Sequence, residues 1–203
     1  MNAEKLKGLL SAWAALMTEK KDWLIELDSV AGDSDLGLTM SDGFTAASEA
    51  VASSDLTDVG KLAYQAGKAM ATAVPSTMGT LMASGLMNAG KVLKGREEAD
   101  DAAFFEAYLE GVQNRGKAQP GEKTFLDGLA PAVEALKEGR TPEETAGIAW
   151  DAFESTKGML AKHGRMAIRG EASRELPDPG AAVAALMMQG YAGMLENDMR
   201  QHG

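Results

Sequence analysis

Apolar residues recur at helical spacing along almost the whole chain. Leu6, Leu9, Leu10, Trp13, Leu16 and Met17 form a stripe at i, i+3, i+4 and i+7, which predicts a first amphipathic helix. A loop is expected around 27–37, followed by a helix carrying Met40, Phe44, Ala47 and Val51 that stops near Ser53-Ser54. Asp55 or Thr57 can cap a third helix whose face holds Val59, Leu62, Ala66 and Met70. Pro75-Ser76-Thr77 breaks the pattern, and a fourth helix runs through Leu81, Met82, Leu86 and Met87 to Gly95. Phe104, Tyr108 and Val112 mark a fifth. Phe125, Leu129, Val133 and Leu136, closed by Gly139, mark a sixth. Thr141-Pro142-Glu143-Glu144 reads as a capping box with proline at the first helical position, opening a seventh helix through Ile148 and Phe153 to about His163. After a long loop, 164–179, a last helix carries Val183, Leu186, Met187, Tyr191 and Met194. Eight helices with mostly short connections predict antiparallel neighbours in one bundle, and residues 1–203 are expected to form one domain.

Composition strengthens this all-α expectation. Aromatics make up only 5% of the 203 residues, and the apolar fraction is mainly Ala, Leu and Met, which lose little rotamer freedom in a helix. The formal net charge of −10 disfavours nucleic acid or an anionic membrane as partner, because both require a positive field. A phosphate bound to such a chain needs local help from metal ions, backbone N–H groups or a placed arginine. With no cysteine, disulfides and thiolate metal sites are excluded. His163 and His202 are too few for a histidine metal site, and the methionines fall at core spacing. No apolar run approaches the roughly 20 residues that span a bilayer, and no signal-peptide core is present. The expectation is a soluble, cytoplasmic protein.

The densest chemical signal is Asp28-Ser29-Val30-Ala31-Gly32-Asp33-Ser34-Asp35-Leu36-Gly37. Carboxylates at i, i+5 and i+7 with glycines beside them suit a tight loop converging on a hard cation such as Mg²⁺. The helix that follows offers free N–H groups to a phosphate. A solvated turn capping that helix accounts for the same residues. An EF-hand starting at Asp33 fails, since its sixth and twelfth positions hold Leu38 and Phe44. Ser76-Thr77-Met78-Gly79-Thr80 is either a plain N-cap or a phosphate-binding helix start. Gly121-Glu122-Lys123-Thr124 lacks the upstream glycine and strand of a Walker A loop. Arg165 offers a fixed charge for a phosphate or is a surface residue, and Asp178-Pro179 reads as an N-cap with proline at N1.

Together these segments resemble the ADP-binding L subunit of dihydroxyacetone kinase and the related domain of single-chain dihydroxyacetone kinases. Four stretches match in order: Asp28 with Gly32 to Gly37, Ser76 to Thr80, Gly121 to Asp127, and Gly164-Arg165 with Asp178-Pro179-Gly180-Ala181. The resemblance implies a barrel of eight antiparallel helices with a nucleotide, ADP or ATP, at one end. It implies two Mg²⁺ ions on Asp28, Asp33 and Asp35, and phosphate contacts from Leu36, Gly37, Leu38, Thr39, Ser76 and Thr77. Gly121, Arg165, Pro177, Asp178 and Pro179 would surround the nucleotide. It further implies phosphoryl transfer to dihydroxyacetone or a related short ketose or tetrose held by a separate K subunit. A phosphotransferase-system protein is a second candidate partner as donor, and a homodimer stays open. No catalytic nucleophile is expected on this chain. Leu36 stands where the family usually has His, Glu171 to Leu176 depart from its usual Gly-Glu-Arg-Ser-x-Gly-His loop, and Val74 to Met78 lack its Gly-Gly. These departures motivate the alternative of a non-catalytic, nucleotide-sensing regulatory module. A fatty acid kinase domain of the same fold is a further alternative.

Overall fold

The computed structural model describes residues 1–202, and the His202 side chain lies outside the described residues. Nine α-helices and one 3-10 helix are found among the described residues, with a lone bridge between Asn2 and Glu98 as the nearest approach to a strand. The all-α expectation holds. The chain falls into two compact units, Met1–Glu19 with Leu38–Lys117, and Lys20–Gly37 with Ala118–Gly203. No described helix is long and apolar enough to cross a membrane.

The first unit contains α1 (Ala3–Glu19), most of α3 (Leu36–Ala52), α4 (Val59–Ala73), α5 (Thr77–Val92) and α6 (Asp101–Gly116). Trp13 of α1 is fully buried and meets Phe44, Phe105 and Tyr108 edge-on, at centroid distances of 5.5, 6.1 and 6.1 Å. Such edge-to-face contacts add to the burial that the apolar stripe predicts. The helices α4, α5 and α6 pack antiparallel at close range. A Cβ on Gly67 would lie 2.9 Å from the Ala83 carbonyl, and one on Gly111 would lie 2.6 Å from the Ser84 carbonyl. Asp58, rather than Asp55 or Thr57, caps α4 by accepting from the Lys61 N–H at 2.9 Å. Thr57 instead donates its hydroxyl to the Glu97 carboxylate at 3.0 Å.

The second unit contains α2 (Lys21–Ser29), α7 (Phe125–Lys137), α8 (Pro142–Ser155), a 3-10 segment (Arg165–Glu175) and α9 (Pro179–His202). Trp23, Trp150 and Phe153 form its aromatic cluster, and the Trp150 indole N–H donates to Gln189 at 3.1 Å. Gly128 of α7 sits against Ala181 and Ala184 of α9. Thr141 and Glu144 form the expected capping box, with Pro142 at the helix start.

Three local differences from the periodicity matter for the site. The helix α2 was not legible as an element, since only Leu24 among its nine residues is buried. The eighth helix stops at Ser155 rather than near His163, because Thr156 turns its hydroxyl back to the Phe153 carbonyl at 2.6 Å and Gly158 takes φ of +99°. The expected long loop is largely wound into 3-10 turns, interrupted at Gly170.

Candidate metal centre

The acidic loop begins where α2 ends. Both Ala31 and Gly32 donate their N–H groups back to the Asp28 carbonyl, at 3.2 and 2.6 Å, so the chain doubles back over Asp28. A Cβ at position 32 would stand 2.0 Å from the Asp28 Oδ1 atom, so any larger residue here must displace that carboxylate. Ser34 adopts a left-handed φ of +65°, and α3 starts two residues later. Its first amide, Leu36 N–H, points at Asp28 Oδ2 at 3.4 Å. Gly37 packs directly on the α2 backbone: a Cβ there would come 2.1 Å from the Lys21 carbonyl. The end of one helix and the start of another are thereby pinned together, with three aspartates on the connection.

The result is a convergent carboxylate cluster. Asp28, Asp33 and Asp35 each bring one oxygen within 4.8 Å of the others, with Asp28 half-buried and the other two exposed. Asp35 is held above the ordinary carboxylate value of 3.8, first by burial, then by the charge and hydrogen bond of Asp33 and the charge of Asp28; Arg165 opposes this. Like charges this close disfavour joint ionisation unless a cation is present. An all-oxygen, carboxylate-rich donor set is what a hard divalent ion takes. The residues therefore fit Mg²⁺.

Two arginines of the 3-10 segment reach this loop. Arg165 Nη2 pairs with Asp33 Oδ2 at 2.6 Å, and Arg169 donates to the Val30 carbonyl. Arg169 was not singled out in the sequence, since its role depends on a partner 139 residues away. The segment itself is tied down by Lys123, whose ammonium donates to the Met159 carbonyl at 3.2 Å and to those of Ser173 and Leu176 at 2.5 Å. Lys123 is 1% exposed and takes a left-handed φ of +63°. Its pKa is lowered by burial, while the nearby Asp178 charge counteracts this. The Gly121 to Thr124 stretch is thus a structural turn in which the lysine points into protein backbone. Thr124 and Asp127 form a capping box on α7, and Asp127 also accepts from Gly121 N–H at 2.6 Å.

The remaining residues singled out from the sequence are placed as follows. Asp178 caps α9, accepting from Ala181 N–H at 2.8 Å, while its own N–H donates to Thr156 Oγ1 at 2.8 Å. Burial pushes its carboxyl up to about 7. Pro179 is the first residue of α9, and Pro177 is half-buried beside the cap. Gly121 uses a φ of +91° that other residues rarely adopt. Within the divergent Glu171 to Leu176 stretch, Arg174 is committed to its own segment, donating to the Gly158 carbonyl at 2.7 Å and pairing with Glu171 at 2.8 Å. In the first unit, Ser76 is the N-cap of α5, accepting from Gly79 N–H at 3.0 Å, and Thr77 beside it is exposed. Leu36 and Thr39 are buried and Leu38 is 48% exposed.

Comparison with known proteins agrees with this architecture. The DAK2 domain family matches residues 30–193, so the chain belongs to that family. Among its relatives is the PEP-dependent dihydroxyacetone kinase, ADP-binding subunit DhaL, of Escherichia coli (strain K12). It is 30% identical over 200 residues that cover 93% of this chain and 95% of the relative. A Listeria innocua protein, ADP-binding subunit DhaL of PEP-dependent dihydroxyacetone kinase 1, is 33% identical over 94% of each chain. The L-erythrulose 1-kinase of Mycolicibacterium smegmatis is 32% identical over 92% of this chain, which spans only 35% of that longer protein. The dihydroxyacetone kinase of C. freundii has the same fold, with a TM-score of 0.76 at 21% identity, covering 95% of this chain and 34% of its own. The same enzyme in complex with AMP-PNP and Mg²⁺ gives a TM-score of 0.74.

Proposed function

We propose that this chain is the nucleotide-binding subunit of a dihydroxyacetone-type kinase, holding ADP or ATP with Mg²⁺ at Asp28, Asp33 and Asp35. The observation that carries the reading is the convergence of three carboxylates, facing one arginine, at the start of a helix. Bound Mg²⁺ would neutralise the phosphates and the charge that develops during phosphoryl transfer. The chain's own residues supply positioning. Asp28, Asp33 and Asp35 hold the metal, two ions by analogy with the family, and Arg165 offers a guanidinium fork to a phosphate oxygen once Asp33 turns to a cation. The start of α3 at Leu36 and Gly37 presents a positive helix end. Gly121 and the Pro177-Asp178-Pro179 turn are assigned to the nucleotide on the family resemblance, as are Leu38, Thr39, Ser76 and Thr77.

Charge balance supports this assignment. On a chain of net charge −10, a polyanion is held where metal and arginine offset it locally. The phosphoryl acceptor is proposed to be dihydroxyacetone or a related short ketose or tetrose on a separate K subunit. The donor is either ATP or, as the names of the PEP-dependent relatives suggest, a phosphotransferase-system protein. Native mass spectrometry of the purified protein should reveal a co-purified nucleotide with divalent metal. Calorimetry should give Mg²⁺-dependent ADP binding, and transfer to dihydroxyacetone should require a K subunit. Turnover on the free sugar without any partner would overturn the two-subunit model. Tight Mg-ADP binding with no transfer to any K subunit would favour the sensing module.

A further inference from the structure

We propose that Lys123 is a latch and a positioning residue: its three bonds to backbone carbonyls hold the 159–176 segment folded so that Arg165 and Arg169 stand at the aspartate loop. The argument rests on three observations within the second unit. Lys123 grips both ends of the segment, through the Met159 carbonyl before the 3-10 turns and the Ser173 and Leu176 carbonyls at their close. Between those ends, Arg165 pairs with Asp33 and Arg169 donates to the Val30 carbonyl. Lys162 N–H at 3.3 Å and the His163 ring at 2.5 Å also tie the start of the segment to Glu122, but within the 3-10 turns Met166 and Ser173 are the buried residues and Ile168 is 86% exposed.

The chemistry of Lys123 fits a latch better than solvent-facing or phosphate-binding work. An ammonium has three donors, and here three carbonyls take them. The residue is 1% exposed and accepts a left-handed backbone, φ +63°, in the turn that sends the side chain inward. Two further ties close the same ring: Ala161 N–H donates to Ser173 Oγ at 3.1 Å, and Gly158 N–H donates to the Arg174 carbonyl at 2.8 Å. Removing the ammonium leaves the three carbonyls without that donor and frees the arginine-bearing turns to open. The loss is then felt at the aspartates, although Lys123 is not expected to touch the ligand.

The consequence for ligand affinity rests on the Mg-nucleotide reading above; the latch itself does not. Lys123→Met keeps an unbranched side chain one atom shorter and removes the donors. It should raise hydrogen exchange across 159–176 by about tenfold or more in ligand-free protein, and weaken Mg-ADP binding by about tenfold. In an Arg165→Ala, Arg169→Ala background the same change should weaken binding by less than about twofold, because the residues it positions are already gone. Equal losses in both backgrounds would make Lys123 a general stability residue and overturn the latch, as would unchanged exchange in 159–176. Should Lys123→Met fail to fold, acylation of the wild-type protein decides. Lys123 should label far more slowly than the exposed Lys157 in the same unit, and equal labelling would overturn the latch. Failure of the wild type to bind Mg-ADP would overturn the reading of the site while leaving the exchange and labelling results to judge the latch.

Discussion

Replacing Asp35 by Asn should move ligand-free stability and ligand binding in opposite directions. The two neighbouring carboxylates have oxygens within 4.8 Å of an Asp35 oxygen. Each such pair repels by roughly 1–3 kcal/mol, the lower end applying to exposed groups. Loss of the attraction to Arg165 offsets part of the relief, so the net gain at neutral pH is about 1 kcal/mol, or roughly 2–4 °C in Tm for a chain of this length. Asn is as good a helix cap as Asp, so the start of α3 is preserved. The sign agrees with the raised pKa of Asp35. A carboxyl whose folded pKa lies above its unfolded value favours the fold when protonated and loses that contribution as pH rises through the folded value. Binding behaves oppositely, because one of three metal ligands loses its charge, which should weaken Mg-ADP by about a hundredfold. Wild type at about a hundredfold excess over Kd gains roughly 2.7 kcal/mol from ligand, and the variant at the same concentration gains little. Thermal melts with and without Mg-ADP, followed by circular dichroism, read both effects. A ligand-free variant that melts well below wild type, or one that keeps its full ligand-induced shift, would show that the loop is a structural turn.

Other expectations follow from the same geometry. Asp178, pushed up to about 7 by burial, should contribute most to stability below its ordinary 3.8 and lose that contribution as pH rises towards 7. Melting temperatures between pH 4 and 8 should therefore fall more for wild type than for Asp178→Asn, and parallel curves would count against the shifted carboxyl. Gly37→Ala should cost about 1–3 kcal/mol in urea titrations and reduce metal affinity, since its methyl must displace the α2 carbonyl of Lys21. Trp13→Ala, which empties the centre of the first unit's aromatic cluster, should cost about 3–5 kcal/mol by the same assay.

Periodicity and capping chemistry were enough to read most of the helices. Trp13, Phe44, Leu62, Met82 and Leu129 are buried where their stripes place them, and Thr141-Pro142 starts a helix as its side chains require. Local rules of this kind depend on neighbours three or four residues away, so they survive without a fold. The convergence of Asp28, Asp33 and Asp35 was likewise legible, because all three lie in one short stretch.

Long-range facts were not legible. The helix α2 buries too little to show a stripe, and the Gly37 contact on its backbone involves a residue 16 positions away. Lys123 lies in a stretch whose sequence excludes a Walker A loop but says nothing of what its ammonium binds, and it is spent on carbonyls 36, 50 and 53 residues further along. Arg169 and Arg174 are equivalent basic residues in one exposed segment, but one reaches the aspartate loop and the other closes a turn at Gly158. A side chain's residue type sets what it can bind; only the folded backbone decides which partner comes within 3 Å of it.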